Sequence, residues 1–462
     1  MRQDLFGQDV DLPDERALDA WNDALRGFMA HGAATADRLA DCLAAAPDFA
    51  LGHATKGLFL ALLGRREMME QARLARDTAR RLAREGGTSD PRTNALIATL
   101  DACLSGRMAE AADILTRHLR HAPGDALAMK LDHALRFVLG DARGMRTALE
   151  NLAPAYGADH AAHGYFLGCR AFALEETGDY AAAERSGTAA LEHTRDDAWG
   201  LHAVTHVHDM TGRSNDGLHW LDGREDAWAH CNNFRFHVWW HKALLLLDVG
   251  RIDAVLSLYD HQIRSQRTDD YRDISNAASL LLRLELEDVD VGGRWSELAE
   301  LSQARCEDGC LIFADLHYLM ALVGDGRQAP AHAMLRRMEA QARQGGDDVA
   351  RRMARPGLSA ARGLEAFGAG DYGTAFLNLA AARGQMQRAG GSHAQRDVFE
   401  RLCIDCGLRA GYVVEAESIL EDRRARRAGR DDGFAIARRE LIATARGAAQ
   451  KTLAAERIGA TR

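Results

Sequence analysis

Proline is scarce in this chain, seven residues in 462, and aromatic residues make up only 6%. Runs of β-branched residues are few, and no Asn-Gly pair joins alternating segments, so a sheet architecture has little support. Forty-three glycines, with abundant alanine and leucine, instead favour helices broken by glycine turns. No uncharged apolar run approaches the roughly 18 residues of a membrane span. The opening MRQDLFGQDVDLPDER lacks the basic and apolar regions of a secretory signal. Eight cysteines are too spread for a disulfide framework. Cys306/Cys310 and Cys403/Cys406 form two close pairs, but 92 residues separate them. That spacing favours ordinary thiols over a shared zinc. These absences predict a cytoplasmic protein with no membrane partner.

Positive charge is also in short supply. A net charge of −9 argues against a dedicated nucleic-acid binder, which needs a basic surface. The local run EDRRARRAGR reads as a solvated helix face. Lysine occurs only at 56, 130, 242 and 451 beside many arginines, the mark of a GC-rich bacterial genome. There is no glycine-rich phosphate loop with Lys-Ser or Lys-Thr, no Gly-x-Gly-x-x-Gly following a strand and no Gly-x-Ser-x-Gly, which leaves nucleotide chemistry and a hydrolase elbow unsupported. The CIDC motif lacks the strand–turn–helix context of a redox site.

What the chain does have is a recurring phrase: a helical stretch, a glycine with a small or charged neighbour, then a second helix. The turn glycines are 64, 106, 140, 178, 212, 250, 324 and 370. Most spacings lie between 34 and 46, and one gap of 74 should hold two units. Such a period with paired helices is the signature of a helical solenoid. The unit RAFALEETGDYAAAERSGTAALEHTRDD resembles the tetratricopeptide repeat, with Ala171, Ala183 and Ala190 at its small packing positions. The predicted fold is therefore all-α, a tetratricopeptide-like right-handed superhelix of antiparallel helix pairs. A closer resemblance lies at residues 150 to 320. GYFLGCRAFALEETGDYAAAE, DDAWGLHAVTHVHDMTGR and NNFRFHVWWHKALLLLDVGRIDAVLSLYD are similar to the tetratricopeptide-repeat protein 38 family. That resemblance implies a helical repeat fold and no settled reaction.

Ten of the nineteen histidines fall between residues 160 and 241, less than a fifth of the chain. His202, His206 and Asp209 are spaced i, i+4, i+7 and share a helix stripe. Aligned on the repeat, they resemble its groove-facing set together with Trp199. By the same alignment His237 and Trp240 face the groove, with His241 one step around, as do Tyr165, Phe172, Glu175 and Glu176. Aromatic, imidazole and carboxylate groups would thus meet in one concavity, as in small-ligand sites.

Three readings stay open on the sequence. The two His-x-x-x-His pairs could chelate a divalent metal, with Asp209 or Glu175 as carboxylate, although neither pair carries the Glu of a zinc protease motif. Alternatively, His202 or His206 with Asp209 forms a metal-free general-base dyad, while Trp199, Trp239, Trp240 and Tyr165 hold an organic or cationic group. In the third reading these are satisfied structural residues of an adaptor whose groove takes a peptide or partner protein. No cofactor is assigned. His208, His219 and His230 are expected to be solvated. Asp315 and His317 sit on different faces and read as structural, while Arg283, embedded among leucines, should pair its charge.

The expected organisation is continuous: capping helices over 1–50, repeats over 51–420 with the His/Trp-rich groove at about 160–320, and a charged helical tail over 421–462. Phe434, Ile436 and Leu441 of that tail could cover a neighbouring subunit in a homodimer.

Overall fold

The computed structural model describes residues 2–86, 90–444 and 446. Among these, the only paired strands are the two-residue Arg2–Gln3 and Asp9–Val10. The rest of the regular structure is helical and arranged in consecutive hairpins. Ala126–Leu139 packs with Ala142–Leu152, His163–Glu176 with Tyr180–His193, and Ala198–Met210 with Ser214–Leu221. Phe234–Asp248 with Ile252–Leu258 follows, and the series runs on to His393–Arg409 with Val413–Arg426. This is the expected all-α helical-repeat solenoid.

Local chemistry sets the hairpin ends. Asp90, Asp125, Asp197 and Asp270 each stand at an N-cap and accept a backbone N–H from the first turn. Ser392 and Gln395 complete a reciprocal capping box. The glycines at 64, 106, 140, 178, 212, 250 and 370 turn the chain at positive φ. Gly324 does not, because it still belongs to the Ile312–Gly324 helix and Gly326 makes the turn at φ 68. The 74-residue gap holds an additional hairpin, Tyr271–Leu286 with Arg294–Ala304. Asp288 takes the left-handed conformation there (φ 57) in place of glycine. Aspartate tolerates it because its short side chain bonds locally.

The first helices of the central hairpins are buried on all sides. In Ala198–Met210 every residue except Asp209 is buried, and in Tyr271–Leu286 all but Arg272 and Glu285. A helix apolar on one stripe covers a surface, whereas one buried all round lies between two layers. One layer here is the hairpin partner. The other is the far side of the superhelix, because the chain closes across its own groove. Asn232 N–H donates to the His31 carbonyl at 2.8 Å, and Asp348 N–H to that of Gly106 at 2.9 Å. Arg352 reaches the Leu139 carbonyl at 2.6 Å, and the Tyr180 hydroxyl that of Arg426 at 2.7 Å.

The C-terminal segment departs from the expected dimer face. Phe434 is buried within the chain, with the Arg438 guanidinium 4.4 Å and that of Arg401 4.9 Å from its ring. Only Ile436 and Leu441 of that trio are exposed. Most of the tail beyond 444 lies outside the described residues. All eight cysteines are free. No helix among the described residues is long and apolar enough to cross a membrane.

Closure can be tested at two turn glycines. A Cβ on Gly140 (φ 63) would lie 1.8 Å from the Gln387 carbonyl oxygen, whereas one on Gly250 (φ 73) meets nothing within 4 Å. Gly250→Ala should cost about 1 kcal/mol, the left-handed penalty alone. Gly140→Ala should cost about 3 kcal/mol, because it also forces the closure contact apart. Denaturant midpoints measure both, and equal losses would mean the contact yields freely.

Candidate metal centre and cavity

Helices Ala198–Met210 and Phe234–Asp248 begin successive hairpins and lie side by side. Each carries two histidines four residues apart, which helical geometry sets one above the other. The two stripes face each other. His202 Nε2 lies 2.9 Å from His206 Nε2, 3.0 Å from His237 Nε2 and 3.1 Å from His241 Nε2. His237 and His241 Nε2 are 3.2 Å apart. His202, His206 and His241 are buried and His237 is partly so.

Hydrogen bonding cannot account for every one of these contacts, because His202, His237 and His241 lie mutually within 3.2 Å and two of any three must then be alike. A neutral imidazole nitrogen either donates one proton or accepts one. His202 Nε2 has three nitrogens within hydrogen-bond distance and can answer one of them. A single cation at the centre would accept all four lone pairs. Metal–nitrogen bonds of about 2.0–2.1 Å place neighbouring nitrogens about 2.8–3.0 Å apart around a six-coordinate ion and about 3.3–3.4 Å apart around a tetrahedral one. The observed separations of 2.9–3.2 Å match that scale.

The groups behind the rings complete the pattern. Glu175 Oε2 lies 3.4 Å from His206 Nδ1, and neither Glu175 oxygen has another partner. Asn276 Oδ1 lies 2.9 Å from His237 Nδ1. A carboxylate or amide at Nδ1 fixes the tautomer that leaves the Nε2 lone pair free to bind a metal. Burial pushes His202, His237 and His241 down, His237 to about 3, which keeps them neutral. Burial acts the same way on His206, but the Glu175 and Glu176 carboxylates outweigh it and raise that group.

Aromatic rings enclose the cluster. Trp240 stacks on His237 at 5.2 Å, Phe172 lies 5.7 Å from His202 and 5.5 Å from His206, and Trp199 lies 5.1 Å from His202. Beside it opens a cavity of about 550 Å³. His202 and His237 form part of its wall with Trp199 and Phe234, while His206 and His241 lie behind them.

The candidate residues named from sequence therefore divide. The structure brings His202, His206, His237, His241, Glu175, Phe172, Trp199 and Trp240 together. It does not bring Asp209, whose carboxylate accepts from Arg427 at 2.9 Å and faces a separate, arginine-rich cavity. Asp209 is thus no dyad partner of His202 or His206, and Glu175 of the preceding hairpin holds that place. Tyr165 donates to Asp196 at 3.0 Å and does not line the cavity. Glu176 accepts from His393 N–H at 2.6 Å and from Arg396 at 3.1 Å, tying the last hairpin to the middle of the chain. Trp239 packs on Trp228, away from the cavity.

Other assignments change as well. His208 is buried, not solvated, and His230 Nε2 lies 3.0 Å from the Ala30 carbonyl, while His219 is exposed. Arg283 finds no carboxylate: it donates to the Ser279 and Ala394 carbonyls and sits 5.5 Å over the Trp240 ring. Asp315 pairs with Arg337 at 2.7 Å and His317 bonds the Phe313 carbonyl at 2.7 Å, both structural. Sequence reasoning missed Asn276, His31, Lys130 and His133. The last two left a trace in ALAMKLDHALRF, where polar residues interrupt an apolar helix.

No family model matches the chain. Among solved structures it is similar to human IFIT1, in a dimer with m7Gppp-AAAA, at 12% identity over 94% of this chain and 96% of that one, with a TM-score of 0.39. The same human protein with PPP-AAAA gives 13% identity, 96% and 97% coverage and a TM-score of 0.37. The Naa15/Naa10 complex bound to HypK-THB gives 14% identity, 89% coverage of this chain and 64% of the other, with a TM-score of 0.23. At likenesses this distant, the fold assignment rests on the helix hairpins described above.

Proposed function

We propose that this protein holds one divalent transition-metal ion on His202, His206, His237 and His241 and uses the adjoining cavity to bind, and act on, a small organic molecule. The observation that carries this is the convergence of four Nε2 atoms, 2.9–3.2 Å apart in the pairs measured, among which His202, His237 and His241 are mutually so close that no distribution of protons makes every contact a hydrogen bond. Four imidazoles with no carboxylate among them suit zinc, iron, copper or nickel over magnesium or calcium. Glu175, buried behind His206, supplies compensating negative charge. Because two of the four ligands belong to the cavity wall, the ion would act on a bound molecule as a Lewis acid.

An adaptor holding an extended peptide needs a continuous open groove. The bonds from Asn232 to His31, Asp348 to Gly106 and Arg352 to Leu139 cross that groove, which favours the small-molecule reading. Membership in the tetratricopeptide-repeat protein 38 family and a cytoplasmic location belong to the same proposal. The free cysteines support the location.

Elemental mass spectrometry of untagged protein, before and after chelation, tests the centre directly. Near one equivalent of metal is expected, and it should be lost in the His202→Ala/His206→Ala double variant. Protein that neither carries nor takes up zinc, iron, copper or nickel would falsify the proposal. Glu175→Gln keeps all four ligands but should weaken metal binding by about 10- to 100-fold. His202→Leu separates a ligand from a structural hydrogen bond. In chelated protein it should change stability by less than about 1 kcal/mol, whereas loss of a satisfied buried hydrogen bond costs about 1–3 kcal/mol.

A further inference from the structure

The cavity beside the four histidines inverts the charge of the molecule. The chain carries −9, yet Lys56, Lys130, Arg272, Arg352 and Arg388 line this cavity against only two carboxylates, Asp270 and Asp348. Those two are already engaged, Asp270 by Arg272 at 2.6 Å and Asp348 by Arg351 at 2.6 Å. Among the described residues, Lys56, Lys130, Arg352 and Arg388 form no ion pair with a carboxylate. Arg352 is held by the Leu139 and Arg388 carbonyls, each at 2.6 Å, and so serves the closure of the ring.

Lys130 has no comparable structural employment. It is 3% exposed, and the one polar contact of its Nζ is the Cys169 sulfur at 3.6 Å. The ammonium sits 5.2 Å from the centre of the Trp199 ring, whose imidazole neighbours are His202 at 5.1 Å, His31 at 5.3 Å and His133 at 5.6 Å. At this same end of the cavity both nitrogens of His133, Nε2 of His31 and Nε1 of Trp199 lack partners. The buried carboxyl nearest in effect, Asp197, is pushed up to about 7 by burial and so compensates Lys130 only in part. An ammonium buried with no carboxylate in contact is costly, and the fold keeps one beside the four-histidine centre.

The remaining wall is of another kind. Phe28, Leu39, Phe59, Phe137, Leu311 and Phe313 give it broad apolar faces. One end thus offers a buried ammonium among rings, and the apolar faces offer hydrocarbon, with Lys56, Arg352 and Arg388 elsewhere on the wall. A phosphate dianion is ordinarily held by arginine forks or helix N-termini. One lysine among neutral imidazoles suits a monoanion.

We propose that the cavity takes an apolar organic acid, its carboxylate seated at Lys130 beside the four-histidine centre and its hydrocarbon body along the phenylalanine wall. This rests on the reading of the cavity as a small-molecule site next to a metal, and it adds the chemical class of the molecule. Lys130 fixes the head and the apolar wall selects the body.

Titration calorimetry with dodecanoate, dodecanol and dodecylamine, on metal-loaded and on chelated protein, tests it. Dodecanoate should bind about ten-fold or more tightly than dodecanol, and the amine most weakly. Lys130→Met keeps the apolar stem of the side chain. It should bring the acid down to the affinity of the alcohol, leave the alcohol unchanged and leave the metal content intact. Equal binding of acid and alcohol by the unsubstituted protein overturns the proposal, as does a preference that survives Lys130→Met, or no binding of any of the three. The comparison on unsubstituted protein decides the matter alone should Lys130→Met not fold. Stoichiometric metal without acid preference removes this inference and leaves the metal centre standing. Acid preference in a protein that takes up no metal does the reverse.

Discussion

In the middle of the molecule, helices His163–Glu176, Tyr180–His193 and Ala198–Met210 meet where no side chain could fit between them. A Cβ on Gly168 would lie 1.9 Å from an Asp197 carboxylate oxygen, one on Gly187 2.5 Å from the Val204 side chain, and one on Gly200 3.0 Å from the Ala190 Cβ. That near-contact of backbones sets the distance between two consecutive hairpins. It is why Glu175, on one first helix, stands 3.4 Å from His206 on the next, and why Phe172 can lie against both His202 and His206. Bulkier residues at these glycines would hold the helices apart by more than the reach of a carboxylate to an imidazole.

Burial then turns a set of ordinary side chains into a costly one. Four imidazoles, a carboxylate and an ammonium occupy what would otherwise be apolar core, and several of their polar atoms have no partner. Each unsatisfied buried group costs about 1–3 kcal/mol. A scaffold optimised for stability alone would hold leucine at these positions, as the neighbouring LLLL of Phe234–Asp248 does. Clusters of this sort persist where the surrounding structure over-determines them, and function is the usual reason. Here the surroundings are the closed ring: the bonds across the groove fix the first helices against each other, so the imidazoles cannot relax away from one another.

Much of this was legible in the sequence, and the part that was not has one physical cause. The hairpin period followed from glycines that turn the chain at positive φ. It failed where aspartate took that role at 288 and where the turn slipped from Gly324 to Gly326, and it passed over the turns at His31 and Gly411. The two histidine pairs were legible because i, i+4 spacing is local. Their carboxylate was legible only as a choice between Asp209 and Glu175: Asp209 shares the stripe of His206 by count, but the last turn of its helix delivers it to Arg427, some two hundred residues onward. Lys130 and His31 were invisible as site residues, since only closure brings residues 31, 130, 199 and 237 to one cavity. Periodicity reports what a helix presents to its neighbours in sequence. It carries nothing about what the far side of a ring presents in return.

That dependence on closure also bears on how the cavity would choose its occupant. Its wall draws on residues from Gly27 to Gln395, so no single hairpin contains it. The positive charge it encloses acts against a background of −9 for the whole chain. At physiological ionic strength, exposed charges are screened beyond about 8 Å, whereas buried ones are not. The acidic exterior therefore does little to repel an approaching anion from a distance, and the enclosed lysine does little to attract one. The Lys130 charge is felt only after a molecule has shed water and entered. Discrimination would accordingly lie in how long an acid stays and not in how often it arrives, and the apolar wall would admit neutral analogues that the lysine then fails to retain.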